Sequence, residues 1–348
     1  MPTGSNPISN NIIRFLKNNL NLTDEDRCLI LNDLPNTMEL KNKPVKELKN
    51  MFNRVFLALK IFRICSKKFT ENTELLTYPS TGVSGAEPPE YISAAMLNYD
   101  VIIMLTTHSL THTDARRNAT SRGARIASMP GFTESMLKPG GPMDVDYNMI
   151  AAETRKLAEE ASKRNLIKIT SVEGVEFNLL KGSRKFIVDD GLYTKPGSWG
   201  NLPAGEVYCA PIEGTANGVL YVRRGWYPNL TEDMELTVEN GYVKEVVGGG
   251  KTEKYFRKLL GLDSPQPDEK IKARRCIAEF GIGANPKAKK TDNILEAEKI
   301  KGTVHIAIGD NSHFGGLNKA DIHIDFILPN VSVWLDESKI IDNGHWRV

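Results

Sequence analysis

The chain has 348 residues, which predicts two domains at about 150 residues each, and its formal net charge of +2 is too balanced to indicate a nucleic-acid surface. Its four cysteines lack Cys-x-x-Cys spacing, so neither a disulfide framework nor a cysteine zinc site is expected. We expect no secretory leader and no membrane span, because no apolar run is long enough, and the expected location is the cytoplasm.

The first half of the chain alternates helical and extended patterns. The expected elements are, in chain order, a helix at 10–22, a strand at 26–33, a helix at 45–64, strands at 99–109 and 124–131, and a helix at 146–165. In the helix at 45–64, the apolar residues at helical spacing are Leu48, Met51, Phe52, Val55, Phe56 and Leu59. This order predicts a parallel sheet, and no Gly-x-Gly-x-x-Gly follows the first strand to indicate a dinucleotide site.

The second half is dominated by short alternating segments separated by glycine turns. Two alternating runs around Asn240-Gly241 predict a hairpin, and the segment 251–262 predicts one helix ended by Gly261. We therefore expect an α/β N-terminal domain with a parallel sheet at 1–165, and a β-rich α+β C-terminal catalytic domain at 166–348.

A polar loop at 107–119 follows the strongest parallel-type strand. Ligands gather at the carboxyl ends of such strands, so this loop is a candidate for contacting a substrate carboxylate. The alternative interpretation is a helix start, capped by Thr113 or Asp114, with exposed arginines.

Five potential metal ligands interrupt apolar segments of the second half. His305 lies in "TVHIAIGD", His323 and Asp325 lie in "DIHIDFIL", and Glu206 and Glu279 lie beside Val207 and Phe280. Residues two apart on a strand share one face, and an ionised carboxylate among apolar neighbours is costly unless it meets a cation. Imidazole and carboxylate ligands suit Zn, Mn, Co or Fe(II).

Each of these residues also has a plain structural interpretation. A strand histidine is often bonded to backbone, Glu206 is compatible with a turn or cap, and Glu279 with an ion pair to Arg274 or Arg275. From spacing alone the two interpretations stay open.

The ordered motifs "LPAGEVYCAPIEGTANG", "AEFGIGANP", "HIAIGDNSHFGG" and "IHIDFIL" resemble the metallo-aminopeptidases of family M29, mainly over residues 165–348. The resemblance implies a dinuclear centre of two divalent ions (Zn, Co or Mn) with a set of five ligands: Glu206, Glu279, His305, His323 and Asp325. The family tyrosine that follows the first histidine is absent here, and His313 is the expected catalytic substitute.

The resemblance further implies a hydrolase that removes N-terminal residues from small peptides, in a homodimer without nucleic-acid or membrane partners. Metal-activated water would attack the peptide bond, with Glu206 as candidate base. Asp310 and Glu213 are candidates for binding the substrate amine. Asn217, in "GTANG", is a candidate substrate contact or part of a plain turn.

Two alternatives remain. A related branch resembles 2,5-dihydroxypyridine dioxygenase, a mononuclear Fe(II) enzyme, which keeps the His-x-Asp pair but has a histidine where this chain has Glu279. The other alternative is a non-catalytic binding protein on the same scaffold.

Overall fold

The structure is a computed structural model that describes residues 6–264 and 267–347. These residues form two compact units. The first contains the chain up to Asn148 together with Gly191–Ala204, and the second contains Met149–Asp190 and the chain from Gly205 onward.

This division differs from a boundary at residue 165 in two respects. The long helix Tyr147–Ser162 lies mostly in the second unit, because Leu157 and Ala161 join the hydrophobic core of that unit. The chain then returns to the first unit at Gly191–Ala204 to add one more strand to its sheet.

The first unit is an α/β structure on a parallel sheet. Its strands are β1 (Cys28–Leu34), β2 (Thr73–Pro79), β3 (Val101–Leu105), β4 (Arg125–Ser128) and β8 (Trp199–Asn201). Its helices are α1 (Pro7–Arg14), α2 (Thr37–Asn42), α3 (Val45–Lys68), α4 (Glu90–Met96) and α5 (Asp114–Ser121). The five strands pair in parallel in the order β2-β1-β3-β4-β8, so the predicted fold class is confirmed.

Helix α3 forms where the apolar spacing predicts it, but its buried face differs from the expected one. Phe52 and Phe56 are exposed, whereas Arg54, Leu57 and Ile61 are buried. The apolar pattern therefore located the helix and misassigned its orientation, because large apolar side chains also occupy its outer face.

The polar loop after β3 leads into α5 through a capped start. Thr113 is the N-cap residue, and its hydroxyl accepts a hydrogen bond from the backbone amide of Arg116. The guanidinium of Arg116 is buried and stacks 3.7 Å from the ring centre of Trp199. The helix-start interpretation is thus correct for Thr113, but Arg116 is not exposed.

The second unit contains two antiparallel sheets. Its strands are β5 (Leu166–Thr170), β6 (Glu176–Leu180), β7 (Ile187–Asp189), β9 (Glu206–Cys209), β10 (Asn217–Val222), β11 (Met234–Glu239), β12 (Tyr242–Gly248), β13 (Ile277–Gly283), β14 (Val304–Gly309), β15 (His323–Leu328), β16 (Ser332–Leu335), β17 (Ser338–Asp342) and β18 (His345–Trp346). The larger sheet has the order β12-β11-β10-β6-β5-β16-β17-β18, and the smaller has the order β15-β14-β13-β9-β7. Apolar side chains of both sheets form one continuous core.

The helices of the second unit are α6 (Tyr147–Ser162), α7 (Lys251–Leu259), α8 (Glu269–Arg274) and α9 (Ile294–Ala297). The predicted hairpin is present between β11 and β12: Asn240 and Gly241 both have positive φ, as a tight turn of this kind requires. Among the described residues, no helix is both long and apolar enough to cross a membrane.

Candidate metal centre

The smaller sheet of the second unit has one apolar and one polar face. Val304, Ile306 and Ile308 of β14 enter the hydrophobic core, so the intervening His305 and Ala307 lie on the opposite face. The strand pairing extends this polar face across the sheet, with His323 and Asp325 on β15, Glu279, Gly281 and Gly283 on β13, Glu206 and Tyr208 on β9, and Asp189 on β7.

Strand register brings Glu279 and Asp325 to the two sides of Ala307. Ala307 pairs with Glu279 on one neighbouring strand and with Asp325 on the other, and its methyl group is too short to separate the two carboxylates. His323 lies on the same face as Asp325. One ligand atom from each of Glu279, His323 and Asp325 lies within 4.8 Å of the others. A metal with bonds of about 2.0–2.2 Å spans such a group.

The imidazole of His323 is oriented by the backbone. Its Nδ1 lies 2.8 Å from the carbonyl oxygen of Asp310. Because a carbonyl oxygen only accepts, Nδ1 must carry the proton, and in the neutral ring Nε2 keeps its lone pair. Nε2 lies 3.4 Å from Glu279 Oε2 and 3.6 Å from Asp325 Oδ1. This is the arrangement in which an outer carbonyl fixes the tautomer of a ligating histidine.

His305 reaches Glu279 by lying across a glycine. Gly281 pairs with His305 in the sheet, and a Cβ at Gly281 would lie 1.9 Å from His305 Nε2. The nitrogen is 3.1 Å from Glu279 Oε1 and 3.5 Å from Glu206 Oε2. Burial alone would lower the pKa of His305, but the hydrogen bond to Glu279 and the charge of Glu206 raise it to about 9.

The two imidazoles also control the charge of Glu279. Burial would raise the pKa of this carboxyl, but hydrogen bonds from His305 and His323 hold it well below its usual range. Glu279 is therefore ionised. Its two imidazole partners would lose a proton when a cation binds, because a ligating histidine must be neutral.

A fully buried lysine stands at the other end of the polar face. The Lys299 ammonium lies 2.5 Å from Glu206 Oε1, 2.8 Å from Glu298 Oε1 and 3.8 Å from Asp189 Oδ2. Burial would lower the pKa of Lys299, but the three carboxylates raise it well above its usual value. Burial raises the pKa of Glu298 above its usual value, the Lys299 ammonium opposes this rise, and the charge of Glu206 adds to it.

The donor set fits a divalent first-row metal ion. Glu279, His323 and Asp325 supply two carboxylates and one imidazole, the ligand types that Fe(II), Mn(II) and Zn(II) accept. Within residues 6–264 and 267–347, Glu206 Oε2 and His305 Nδ1 are buried without a hydrogen bond. A metal-binding group is thus present, formed by three of the five expected ligands. Glu206 and His305 adjoin it, and a second ion stays a prediction.

The loop after β14 is held by two carboxylates, Asp310 within the loop and Glu213 from the connection between β9 and β10. Asp310 Oδ2 lies 2.6 Å from His313 Nδ1, and Asp310 Oδ1 accepts from the Ser312 hydroxyl at 2.9 Å. Glu213 accepts from Asn311 Nδ2 and from the Leu317 amide, each at 2.8 Å. The loop that carries His313 is therefore fixed from both sides.

The residues expected to contact substrate all have such structural partners. Burial would raise the pKa of Glu213, but the ion pair with Arg184 at 2.6 Å and the hydrogen bonds from the loop lower it to about 2. The Asn217 side chain donates a hydrogen bond to the Thr215 carbonyl and accepts one from the Asn240 amide, which favours the turn interpretation. Substrate contact by Asp310, Glu213 or Asn217 stays a prediction.

A family model described as NicX, 2,5-dihydroxypyridine 5,6-dioxygenase, matches residues 49–347. The chain belongs to this family. A 2,5-dihydroxypyridine 5,6-dioxygenase of Pseudomonas putida KT2440 is 24% identical over 256 residues, which cover 70% of each chain.

Two solved structures show the same fold as the NicX-family chain. The 2,5-dihydroxypyridine dioxygenase from Pseudomonas putida KT2440 has a TM-score of 0.72 and 17% identity, covering 97% of this chain and 96% of the other. AmpT from Thermus thermophilus has a TM-score of 0.64 and 13% identity, covering 98% and 99%.

Membership of the NicX family corrects the functional interpretation of the sequence. The prediction of a hydrolase, an M29 aminopeptidase acting on peptides, is wrong, and the dioxygenase alternative is the better supported one. The likeness to AmpT is one of fold. The motifs that suggested a peptidase form the polar face of a sheet. Proteins that share this fold can have the same kind of polar face and catalyse different reactions.

Sequence reasoning missed Lys299 and Gly281. The signal for Gly281 was present in "AEFGIG", where a glycine follows the ligand Glu279 at the same-face spacing. Lys299 carried no signal, since Glu206 and Asp189 are distant from it in sequence and approach it only in the folded structure.

Proposed function

We propose that this chain is a ring-opening dioxygenase for a dihydroxylated pyridine, with one ferrous ion bound by Glu279, His323 and Asp325. The observation that carries the proposal is the convergence of these three donors within 4.8 Å in a NicX-family chain. When bound, ferrous iron would supply the one-electron chemistry that lets dioxygen react with an electron-rich ring.

The proposed ligand set differs from the common non-haem triad of two histidines and one carboxylate. Glu279 takes one position as a carboxylate, and His305 lies behind it, 3.1 Å from its Oε1. His305 is therefore a partner that orients Glu279, while Nε2 of His323 and a carboxylate oxygen of Asp325 complete the set.

Aromatic side chains beside the donors support a flat substrate. The Phe314 ring lies 5.8 Å from the His323 ring, and the Tyr208 ring lies 5.6 Å from that of Phe314, both edge to face. Burial raises the pKa of Tyr208 well above its usual value, so its phenol stays neutral. These rings would pack against a heteroaromatic substrate, and the phenol would donate a hydrogen bond.

His313 is the proposed proton acceptor for a substrate hydroxyl. Its Nδ1 is held at 2.6 Å by Asp310 Oδ2, so Nε2 is the nitrogen that takes up a proton in the neutral ring. Asp310 also positions His323 through its backbone carbonyl. One residue thus couples the proton acceptor to the metal group.

The test is oxygen uptake by the protein reconstituted anaerobically with Fe(II) and mixed with 2,5-dihydroxypyridine and air-saturated buffer. We expect one dioxygen consumed for each ring lost, and no consumption by the metal-free protein. Failure of the iron-loaded protein to consume oxygen or substrate would contradict the proposal, as would ring loss without oxygen uptake.

A further inference from the structure

The charges of the polar sheet face form a continuous line that ends at a lysine. From the metal group the line runs from Glu279 to His305 at 3.1 Å, from His305 to Glu206 at 3.5 Å, and from Glu206 to the Lys299 ammonium at 2.5 Å. Glu206, Glu298 and Asp189 surround that ammonium, whose side chain has 0% exposure.

We propose that Lys299 is the resident cation of a second cation subsite, formed by Glu206, Glu298 and Asp189, and that it limits this chain to one divalent metal. The inference rests on the proposed function in placing that one metal at Glu279, His323 and Asp325.

The carboxylates would attract a divalent ion if the ammonium were absent. Asp189 and Glu206 are buried, and the Glu298 side chain is only 13% exposed. Three acidic groups gathered around one point with so little access to water are costly without a cation, and their oxygens are ligands for divalent metals. His305 stands beside Glu206 and would add an imidazole donor. The Lys299 ammonium neutralises one negative charge and donates hydrogen bonds to oxygens that would otherwise bind a metal. Because the lysine is part of the chain, a chelator cannot remove this cation.

The backbone holds Lys299 at this point. Its carbonyl oxygen accepts from the Asn285 amide at 2.7 Å, and Ile300 forms a bridge with Asn285. The Ile300 carbonyl approaches β13 so closely that a Cβ on Gly283 would lie 2.2 Å from its oxygen. A glycine at 283 therefore lets the segment that carries the lysine press against the strand that carries Glu279.

Counting bound metal in a charge-deleted variant tests the proposal. Lys299→Met keeps the length of the apolar stem and removes the ammonium. Lys301→Met is the matched control, because Lys301 also pairs with a glutamate, Glu153 at 2.7 Å, but its side chain is partly exposed and lies outside the subsite. Each protein is equilibrated with Zn²⁺ alone, separated from free ion by gel filtration and analysed for zinc.

We expect one zinc in the wild type and in Lys301→Met, and two in Lys299→Met. Adding Glu206→Gln to Lys299→Met should return the count to one. One zinc in Lys299→Met, or two in the wild type, overturns the proposal. Should Lys299→Met fail to fold without metal, recovery of a cooperative thermal transition with two bound zinc ions supports the proposal, and no recovery at any zinc concentration overturns it.

The zinc count and the oxygen assay fail independently. A wild type that binds one zinc but does not consume oxygen would leave the lysine subsite standing while contradicting the proposed function. A wild type that binds two zinc ions and still opens the ring would contradict the lysine subsite and leave the ring-opening activity standing.

Discussion

His305 lies directly over Gly281, with its Nε2 only 1.9 Å from where a Cβ on that glycine would be. The paired strands β13 and β14 put the two residues opposite each other. The imidazole crosses the neighbouring strand through this gap and reaches Glu279 at 3.1 Å. The glycine in "AEFGIG" is therefore required by a side chain on another strand.

Gly281→Ala should destabilise the protein by about 1–3 kcal/mol, because the new methyl group overlaps the imidazole and the buried site has no room to relax. It should also weaken metal binding, since Glu279 loses its partner. Urea denaturation and a zinc titration measure the two effects.

The cause can be isolated with a double-mutant cycle. In a His305→Ala background the same glycine substitution should cost much less, because the overlapping ring is gone. Equal costs in both backgrounds would show that the clash with His305 is not the cause.

His323→Ala should reduce metal affinity by more than the roughly 10–100-fold that loss of an outer partner costs, since His323 is a direct ligand in our account. The fold should persist, because His323 lies on the polar face and not in the core. His345→Ala is the matched control, as His345 is exposed on β18. Unchanged zinc affinity in His323→Ala would remove this residue from the ligand set.

His313→Ala should lower kcat by about 10²–10⁴-fold with the metal content unchanged, the effect expected of a lost general base. The measurement pairs oxygen uptake with elemental analysis of the same sample. Loss of metal in this variant would show a structural role for His313. A silent substitution would show that another group takes up the proton.

Glu213 should make stability depend on pH in the acid range. Burial would raise its pKa, but the Arg184 ion pair and the amides of the 311–317 loop lower it from 4.5 to about 2. Because the pKa of Glu213 is lower in the folded than in the unfolded chain, its charge stabilises the fold fully at pH values above the unfolded-state pKa. This contribution is lost as the pH falls through about 2.

Glu213→Gln should therefore be less stable than the wild type at pH 7, on the order of 1–3 kcal/mol, with the difference shrinking between about pH 4.5 and pH 2. Denaturation curves across this range measure it. Glu235→Gln, at an exposed position on β11, should show no such change. A difference that is independent of pH would contradict the role assigned to the Glu213 charge.

Much of the candidate site was predictable from local pattern. Alternation in "VHIAIG" and "HIDFIL" places His305, His323 and Asp325 on polar faces of strands, and the structure has them there. The approach of Asp325 to Glu279 was suggested by the fact that both motifs place a potential metal ligand in an apolar segment. It depends on Ala307 lying between them, which is a matter of register between three strands.

The rest depends on contacts between segments distant in sequence. The strand β8 joins the first unit's sheet after the chain has already built part of the second unit, and the three residues Trp199–Asn201 are too few to show a period. The position of Lys299 depends in the same way on contacts of its segment with Asn285 and Gly283. The reaction itself was misread, because the polar-face motifs are compatible with more than one chemistry.

The central claim is that this chain uses one bound ferrous ion to insert dioxygen into a dihydroxypyridine ring. The most direct test is mass spectrometry of the product formed from 2,5-dihydroxypyridine under isotopically labelled dioxygen by the iron-reconstituted protein. The account predicts a ring-opened product that carries both labelled oxygen atoms and that is absent with Asp325→Asn. A product that carries no label or a single labelled atom, or no product from fully iron-loaded protein, would contradict it.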